Sequence, residues 1–263
     1  MYEFDYHKPA SLADAAKLLA GEEAKLVAGG MTLVPTLKQR LAKPSDLVDL
    51  AAIDGLKGIK EEGGGVTIGA MTRHAEVQRS DIVKRVIPAL AALAGMIGDP
   101  AVRNRGTIGG SISNNDPAAD YPSAVVALGA TVVTTKREIP GEEFFTGMFE
   151  TALAQDEIVT AIKFPKPQVA AYQKFKNPAS RYAIVGVFVA KTAGGVRVAV
   201  TGAGPCVFRV PEMEAALAKS FSPDAIKDIA IPDDGLNSDI HASAEYRAHL
   251  VNVMARRAVA ACA

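Results

Sequence analysis

One stretch of the chain concentrates residues that could bind a phosphate-bearing ligand. Residues 95–122 read GMIGDPAVRNRGTIGGSISNNDPAADYP. Gly106, Gly109 and Gly110 permit positive φ and close approach of a ligand, and successive N–H groups in such a turn can converge on an anion. Groups that suit phosphate, ribose or ring contacts are supplied by Thr107, Ser111, Asn114, Asn115, Asp116 and Asp120. We therefore predict a ligand-binding loop between two apolar helices.

Each piece of this stretch also has a simpler interpretation. Residues 104–107 alone are typical of a tight turn, and Gly109-Gly110 alone is typical of a hinge. What favours binding is the density of polar residues and glycines, because a long polar segment between apolar helices is unusual unless a ligand lies there.

A second glycine-rich segment lies earlier in the chain. The apolar strand 26–28 runs into Gly29-Gly30-Met31-Thr32, and a helix is predicted from Leu33 to Leu41. The first N–H groups of a helix are unpaired and its dipole is positive there, so this arrangement suits a phosphate. The segment lacks both the Gly-x-Gly-x-x-Gly and the P-loop pattern, which leaves a plain strand-to-helix turn as an equal alternative.

Metal chemistry has little support in the sequence. Two cysteines, Cys206 and Cys262, are too few for a disulfide framework or for a four-thiolate cluster, so any iron must belong to another chain. The histidines show no metal-ligand spacing, and we interpret each of them as a surface or capping residue: His7, His74, His241 and His249.

Composition narrows the function classes. The 263 residues are 49% hydrophobic and 22% charged, with a formal net charge of +0 and a pI of about 6.9. Because the chain has no excess of positive charge, neither nucleic acid nor an anionic membrane surface is an expected partner. The chain has no run of eighteen apolar residues, and its acidic, aromatic N-terminus differs from a signal peptide. We predict a cytoplasmic protein that does not insert into membranes.

The elements that position these segments follow from hydrophobic periodicity. Length favours two domains, and Pro165-Lys166-Pro167 marks a boundary between residues 1–167 and 168–263. Beyond it we predict three strands, 170–176, 183–191 and 196–201, of which the last two form a hairpin. A long helix over 242–261 is expected to turn Tyr246, Leu250 and Val253 inward and to leave Arg247, Arg256 and Arg257 in solvent.

Five segments, taken together and in order, resemble the FAD-binding subunits of molybdenum hydroxylases. The greatest likeness is to the medium subunit of aerobic carbon monoxide dehydrogenase, a family shared with the flavin subunits of xanthine dehydrogenase. The segments are Ala28-Gly-Gly-Met-Thr32, Gly69-Ala-Met-Thr72, Arg103-Asn-Arg-Gly-Thr-Ile-Gly-Gly-Ser111, Asp116-Pro-Ala-Ala-Asp120 and Ser243-Ala-Glu-Tyr-Arg247. The resemblance covers nearly the whole chain.

The resemblance implies an α+β fold. Its first part would be a two-lobed FAD-binding domain of the vanillyl-alcohol-oxidase type, over residues 1–167. A smaller domain with a three-stranded antiparallel sheet and helices would follow over residues 168–263. The cofactor implied is noncovalent FAD.

The family also implies which residues contact FAD. Both glycine segments would wrap the pyrophosphate, through Ala28, Gly29, Gly30, Met31, Thr32, Leu33, Thr107, Ile108, Gly109, Gly110 and Ser111, with Ile97 and Gly98 at the entry to the second segment. Asp120 would bind ribityl or ribose hydroxyls, and Val159 would lie against the adenine or the flavin. Lys174 would sit near the polar edge of the ring and Tyr182 over one face, although Tyr182 taken alone also fits a half-buried strand tyrosine.

The implied function is electron transfer within a larger complex. A small subunit with a [2Fe–2S] cluster would deliver electrons, a large subunit with the molybdenum cofactor would oxidise the substrate, and FAD would reduce an outside acceptor. The family implies a dimer of such three-subunit units. Two alternatives stay open: a standalone flavin oxidase or reductase of the same fold, which would need a general base above the flavin, and a nucleotide-binding scaffold without redox activity.

Overall fold

A computed structural model describes residues 1–21 and 23–262. The strands are β1 (Asp5–His7), β2 (Lys25–Val27), β3 (Asp46–Asp49), β4 (Ile59–Glu62), β5 (Gly65–Gly69), β6 (Thr131–Thr134), β7 (Glu138–Pro140), β8 (Phe145–Gly147), β9 (Glu150–Thr151), β10 (Val159–Pro165), β11 (Val169–Lys176), β12 (Ala183–Thr192), β13 (Gly195–Thr201) and β14 (Phe208–Arg209). The helices are α1 (Leu12–Leu19), α2 (Leu33–Lys38), α3 (His74–Arg79), α4 (Asp81–Val86), α5 (Pro88–Gly95), α6 (Pro100–Arg103), α7 (Ile108–Asn114), α8 (Tyr121–Ala127), α9 (Gly141–Phe144), α10 (Pro211–Lys219) and α11 (Ala244–Ala261), with 3-10 turns at Leu50–Ala52 and Pro223–Ile226.

Two sheets form before residue 168. Strands β1, β3 and β2 pair in that order as a parallel sheet, and α1 packs on it through Ala15 and Leu19. Strands β4, β5, β10, β6 and β7 form an antiparallel sheet. Helices α3, α5, α7 and α8 cover that second sheet and share one apolar core with it. The expected mixture of helices and strands is therefore confirmed.

The third large sheet is buried on both faces. It has the strand order β11, β12, β13, β14 and is antiparallel throughout. Along β12, Phe188 and Ala190 pack into the core that holds α5 and α8, whereas Val185, Val187 and Val189 pack under α11. Successive side chains of a strand point to opposite faces, which explains why this strand is hydrophobic at nearly every position.

Several predicted boundaries differ from the structure. The expected three-stranded sheet gains the two-residue strand β14, which joins β13 next to Val200. The helix predicted to Leu41 ends at Lys38, because Arg40 takes a left-handed φ of 59°. Most importantly, residues 95–122 are not a loop, since α6, α7 and the start of α8 lie there. None of the glycines at 106, 109 and 110 has positive φ among the described residues.

The final helix is rotated relative to the prediction. Tyr246, expected inward, is 43% exposed and stacks beside His249. Arg247, expected in solvent, is only 4% exposed, and Leu250 and Met254 complete the buried face. Alanines occur on both faces of this helix, so the sequence does not show which face is buried. The hydrogen-bond acceptors of Arg247 help to decide the orientation. Across the described chain, no helix has the length and apolar character needed to cross a membrane.

Candidate functional site

A cleft of about 650 Å³ runs between the two glycine-rich segments. Its walls include all of residues 28–33, the turn before α7, the first turns of α7 and residues 180–182. The volume lies in the range of roughly 300–1,000 Å³ that small-molecule sites occupy. Two segments separated by about seventy residues in sequence thus share one cleft, as the sequence predicted.

The first segment is distinguished by backbone amides that have no hydrogen-bond acceptor in the described structure. Within the described ranges, no hydrogen bond is donated by the N–H groups of residues 30 to 33. Thr32 precedes α2 without capping it through its side chain. Gly30 has a φ of 73°, which helps this turn to present its amides to the cleft. Consecutive free N–H groups attract a phosphate or another anion.

In the second segment, the first backbone amides of α7 are hydrogen-bonded to other groups of the protein. The N–H of Ile108 donates to the carbonyl oxygen of Thr72 at 3.0 Å, and that of Gly109 donates to Ala70 at 2.9 Å. Thr107 caps the helix, because its hydroxyl accepts the N–H of Gly110 at 3.2 Å. The N–H groups of Ile108, Gly109 and Gly110 thus have acceptors within the protein, so we expect this segment to contact a ligand mainly through its side chains. Ser111, Ser113 and Asn114 line the cleft.

The two segments touch each other through backbone. A methyl group at Gly29 would lie 2.2 Å from the carbonyl oxygen of Arg105 and 2.8 Å from the Cα of Gly106. In the same way, a methyl group at Gly109 would lie 2.6 Å from the Cβ of Ala70. These glycines are needed for close packing, so the spacing of the cleft walls depends on them.

A buried ion pair closes one side of the cleft. Asp120 lines it, and its carboxylate accepts hydrogen bonds from the Tyr172 hydroxyl and, at 2.9 Å, from the Lys174 ammonium. The side chains of Lys174 and Asp120 are 2% and 5% exposed. Burial raises the pKa of Asp120, while the bonds from Lys174 and Tyr172 act in the opposite direction. Lys174 also donates to the carbonyl oxygen of Met96 at 3.2 Å, so its charge is fully engaged.

His74 lies inside the protein rather than on its surface, which corrects the prediction. It lines the cleft, is 4% exposed and packs its ring 5.4 Å from that of Tyr121. Burial lowers the pKa of His74 to about 4, with a smaller contribution from the positive charge of Arg103. His74 Nδ1 and the Tyr121 hydroxyl are both buried without a hydrogen-bond partner in the described structure. The imidazole is consequently neutral at pH 7.

Two aromatic side chains also line the cleft. Tyr182 and Phe149 both line it and are 47% and 57% exposed. Asn115 supports the turn of Phe149, because its side-chain amide donates to the carbonyl oxygens of Gly147 and Glu150 at 2.8 and 2.7 Å. Asn115 is completely buried, so its predicted role as a ligand contact is replaced by a structural one.

Most predicted contact residues meet at this cleft. Those that line it are Ala28, Gly29, Gly30, Met31, Thr32, Leu33, Ile97, Gly98, Thr107, Gly109, Gly110, Ser111, Asp120, Val159 and Tyr182. Ile108 and Lys174 do not, since Ile108 is a core residue and Lys174 acts through Asp120. Sequence reasoning missed His74 and Phe149; the apolar pair Met148-Phe149 inside a turn was the available signal for the second.

Comparison with known proteins identifies the family. Residues 2–167 match the family described as the FAD binding domain in molybdopterin dehydrogenase, and residues 170–262 match the CO dehydrogenase flavoprotein C-terminal domain. The chain belongs to this family of flavoprotein subunits. The resemblance found in the sequence is thereby confirmed, and the chain contains an FAD-binding domain.

Relatives align over nearly their whole length with this flavoprotein subunit. The carbon monoxide dehydrogenase medium chain of Hydrogenophaga pseudoflava is 36% identical over 274 residues, which cover 97% of this chain and 96% of the relative. The nicotine 6-hydroxylase medium subunit of Paenarthrobacter nicotinovorans is 37% identical over 269 residues, covering 97% and 95%. These relatives are subunits of oxidoreductases.

Solved structures share the fold of the subunit. Carbon monoxide dehydrogenase from Hydrogenophaga pseudoflava superposes with a TM-score of 0.90 at 36% identity, covering 99% of this chain and 97% of that one. Quinoline 2-oxidoreductase from Pseudomonas putida 86 gives 0.89 at 28% identity, with the same coverage of each chain.

The residues present fit FAD. A dinucleotide brings a pyrophosphate, for which the free amides of residues 30–33 are suited, and hydroxyl groups, for which Asp120 and the α7 side chains are suited. The half-exposed rings of Tyr182 and Phe149 suit a flat heterocycle. Over residues 1–21 and 23–262, no group of three or more His, Cys, Asp or Glu side chains is placed to hold a metal ion.

Proposed function

We propose that this flavoprotein subunit carries electrons within a molybdenum hydroxylase, from a [2Fe–2S] partner to an outside acceptor. The observation that carries the proposal is the cleft between the two glycine segments, whose lining includes both free backbone amides and half-exposed aromatic rings. Bound FAD would supply the redox chemistry. The chain's own residues bind, orient and electrostatically tune that cofactor.

Different residues of the cleft would hold different parts of FAD. The amides of residues 30–33 hold the pyrophosphate, with Ser111 beside them. Asp120 accepts bonds from ribityl or ribose hydroxyls, and Val159, which is buried, provides an apolar surface for a ring. Tyr182 covers one face of the flavin and excludes water from it. Lys174 acts on the cofactor indirectly, because it fixes the position and charge of Asp120.

The partners follow from the family. A small iron–sulfur subunit and a large molybdenum subunit would complete a three-subunit unit, which pairs into a dimer of heterotrimers in the cytoplasm. The relatives named above are called medium chains or subunits, which supports a complex of several chains. We also propose that the chain divides into domains at 1–167 and 168–263, and that the first has the two-lobed vanillyl-alcohol-oxidase type of fold, its two sheets forming the lobes.

Glycine substitution tests the cleft. Gly29→Ala places a methyl group 2.2 Å from the Arg105 carbonyl oxygen and must move the two segments apart, so we expect FAD affinity to fall at least tenfold. The control is Gly194→Ala, where the nearest atom is 3.7 Å away. Bound flavin is measured by its absorbance after gel filtration. Because we propose noncovalent binding, acid precipitation should release all of the flavin into solution. Full FAD content in folded Gly29→Ala protein would contradict the proposed site.

A further inference from the structure

The carboxylate of Asp120 is held by residues that lie outside the proposed FAD cleft. Tyr172 and Lys174, both on β11, donate hydrogen bonds to it. Asp120 lines the cleft, whereas these two residues lie behind it. Because β11 belongs to the four-stranded sheet of β11 to β14, groups of that sheet hold a cleft side chain that the earlier part of the chain supplies.

The backbone just before Asp120 is held by the same sheet. The Thr201 hydroxyl, at the end of β13, lies within hydrogen-bond distance of the carbonyl oxygens of Pro117 and Ala119. The N–H of Gly202 donates to the carbonyl oxygen of Pro117 at 2.8 Å. Thr201 is 1% exposed, and buried hydrogen bonds are electrostatically stronger than exposed ones. The sheet therefore fixes Asp120 through its main chain as well as through its carboxylate.

A glycine leaves space for the Tyr172 hydroxyl. Gly186 on β12 pairs with Lys174 on one side and with Thr201 on the other, so it lies on the face of the sheet that meets Asp120. A methyl group at Gly186 would lie 2.3 Å from the Tyr172 hydroxyl oxygen and 2.9 Å from Cγ2 of Thr201. Both distances are well below normal van der Waals contact. Any side chain at this position would therefore displace the groups that hold Asp120.

The arrangement leaves the Asp120 carboxylate able to bind a ligand. An ionised carboxylate has roughly four lone-pair sites, which is more than Tyr172 and Lys174 use. Burial raises the pKa of Asp120, while the charge of Lys174 and the hydrogen bonds from Tyr172 and Lys174 act in the opposite direction. The two donors therefore favour the ionised form, which only accepts hydrogen bonds and so suits a hydroxyl group.

We propose that Tyr172 is a positioning residue for FAD: its hydroxyl fixes the Asp120 carboxylate for a hydroxyl group of the cofactor, and Gly186 provides the space that this requires. The inference rests on the proposed function, since it places FAD in the cleft. It goes beyond that function because Tyr172 and Gly186 both lie outside the cleft lining. The sheet after residue 168 thus sets the affinity of a site that earlier residues mainly form.

Tyr172→Phe tests the hydroxyl, because it keeps the ring and its packing. We expect the dissociation constant of FAD to rise about tenfold, since the carboxylate loses a hydrogen bond that orients it. Titration of the FAD-free full chain, followed by flavin fluorescence, measures this constant. Tyr246→Phe, 43% exposed and outside the cleft, is the matched control and should bind FAD as wild type does. Thermal unfolding of the FAD-free proteins reports separately on stability.

Two double-mutant cycles distinguish positioning from a general effect on folding. If the hydroxyl acts through Asp120, Tyr172→Phe should change FAD affinity less than about twofold in an Asp120→Ala background. Gly186→Ala should itself weaken FAD binding, and Tyr172→Phe should add no further loss in that background, because the methyl group has already displaced the hydroxyl. The second cycle keeps the test decisive where Asp120→Ala does not fold.

The outcomes separate the two proposals. A loss of FAD affinity in Tyr172→Phe that disappears in these backgrounds supports the positioning role. Unchanged FAD affinity in Tyr172→Phe, even with lower thermal stability, overturns the role while the FAD site stands. An equal loss of affinity with and without Asp120 overturns it as well. A wild-type chain that binds no FAD contradicts the proposed function and, with it, this inference.

Discussion

At the residue scale, Asp120 and Lys174 are the most consequential pair in the molecule. They lie 54 residues apart in sequence and form a buried ion pair beside the cleft. Removing one partner of such a pair leaves an uncompensated buried charge, which is far more costly than losing an exposed pair. The pair therefore affects both folding and the site.

We expect Asp120→Ala to lower the free energy of unfolding by about 3–5 kcal/mol and to lower FAD content. Lys174→Met should be similarly destabilising, and the double variant should cost clearly less than the sum, because it leaves neither charge unpaired. Urea denaturation of the four proteins gives the coupling energy. Lys163→Met, which breaks an exposed pair with Glu138, is the control and should change stability by about 0–1 kcal/mol. Additive single effects would show that the pair is not coupled.

The pKa of His74 predicts a pH dependence of folding. Burial lowers it from an ordinary value near 6.5 to about 4, so the unfolded chain binds a proton at this residue more readily than the folded protein does. The free energy of unfolding should therefore fall as pH is lowered from 6.5 towards 4, by about 3 kcal/mol in total from this residue. Above pH 6.5 the residue should contribute no pH dependence.

Substitution isolates this contribution. His74→Gln removes the titrating group, so thermal unfolding followed from pH 7.5 to 4.5 should show a weaker pH dependence than wild type. His249→Gln, at an exposed position of α11, is the control for the substitution itself. Burial acts to raise the pKa of Glu157, but hydrogen bonds from Arg137, the backbone N–H of Ala154 and Thr134 hold it at about 2. Its protonation therefore lowers stability only at lower pH, and equally in all three proteins. Parallel profiles for wild type and His74→Gln would contradict the prediction.

At the scale of elements, α11 is held by the buried side chain of Arg247 in addition to its apolar packing and the hydrogen bonds of Asn252. The Arg247 side chain donates to the carbonyl oxygen of Ile184 at the start of β12 and to that of Gly202 just after β13. It also donates to the carboxylate of Asp239, in the loop before α11. Charge-assisted hydrogen bonds are stronger than neutral ones, and buried carbonyl oxygens that lose a donor are costly. The guanidinium of Arg247 therefore contributes to the orientation of the helix.

Arg247→Met should reduce the free energy of unfolding by about 3 kcal/mol, since the carbonyl oxygens of Ile184 and Gly202 lose the charge-assisted bonds that Arg247 donates. Arg257→Met, on the exposed face of the same helix, should stay within about 0.5 kcal/mol of wild type. Chemical denaturation measures both. Equal effects of the two substitutions would mean that the buried contacts of Arg247 do not fasten the helix.

At the scale of the whole molecule, the prediction concerns dependence on partners. We expect the purified chain to carry FAD without molybdenum or iron, and to show at most slow reduction of dyes by artificial reductants. Addition of an iron–sulfur and a molybdenum subunit should restore flavin reduction by the organic substrate. Metal analysis and anaerobic absorbance at the flavin band measure this. Rapid reduction of the flavin by an organic substrate in the isolated chain would favour the standalone oxidase.

The sequence by itself determined the family, the mixture of helices and strands, and the two glycine segments of the cleft. These features depend on local signals: periodicity, glycine spacing and short motifs. For the first segment the sequence left a plain strand-to-helix turn as an equal alternative, and the structure adds that the N–H groups of residues 30–33 donate no hydrogen bond among the described residues.

Only the tertiary structure decided how those segments work. The N–H groups of Ile108 and Gly109 donate to carbonyl oxygens of residues 70–72. A segment whose sequence suggests an anion-binding loop is therefore the beginning of a helix whose first amides already have acceptors. Burial of Arg247 and His74 likewise depends on chain that is distant in sequence. A polar group's hydrogen-bond partners and exposure are set by packing between remote segments, and local sequence carries no record of which segments those will be.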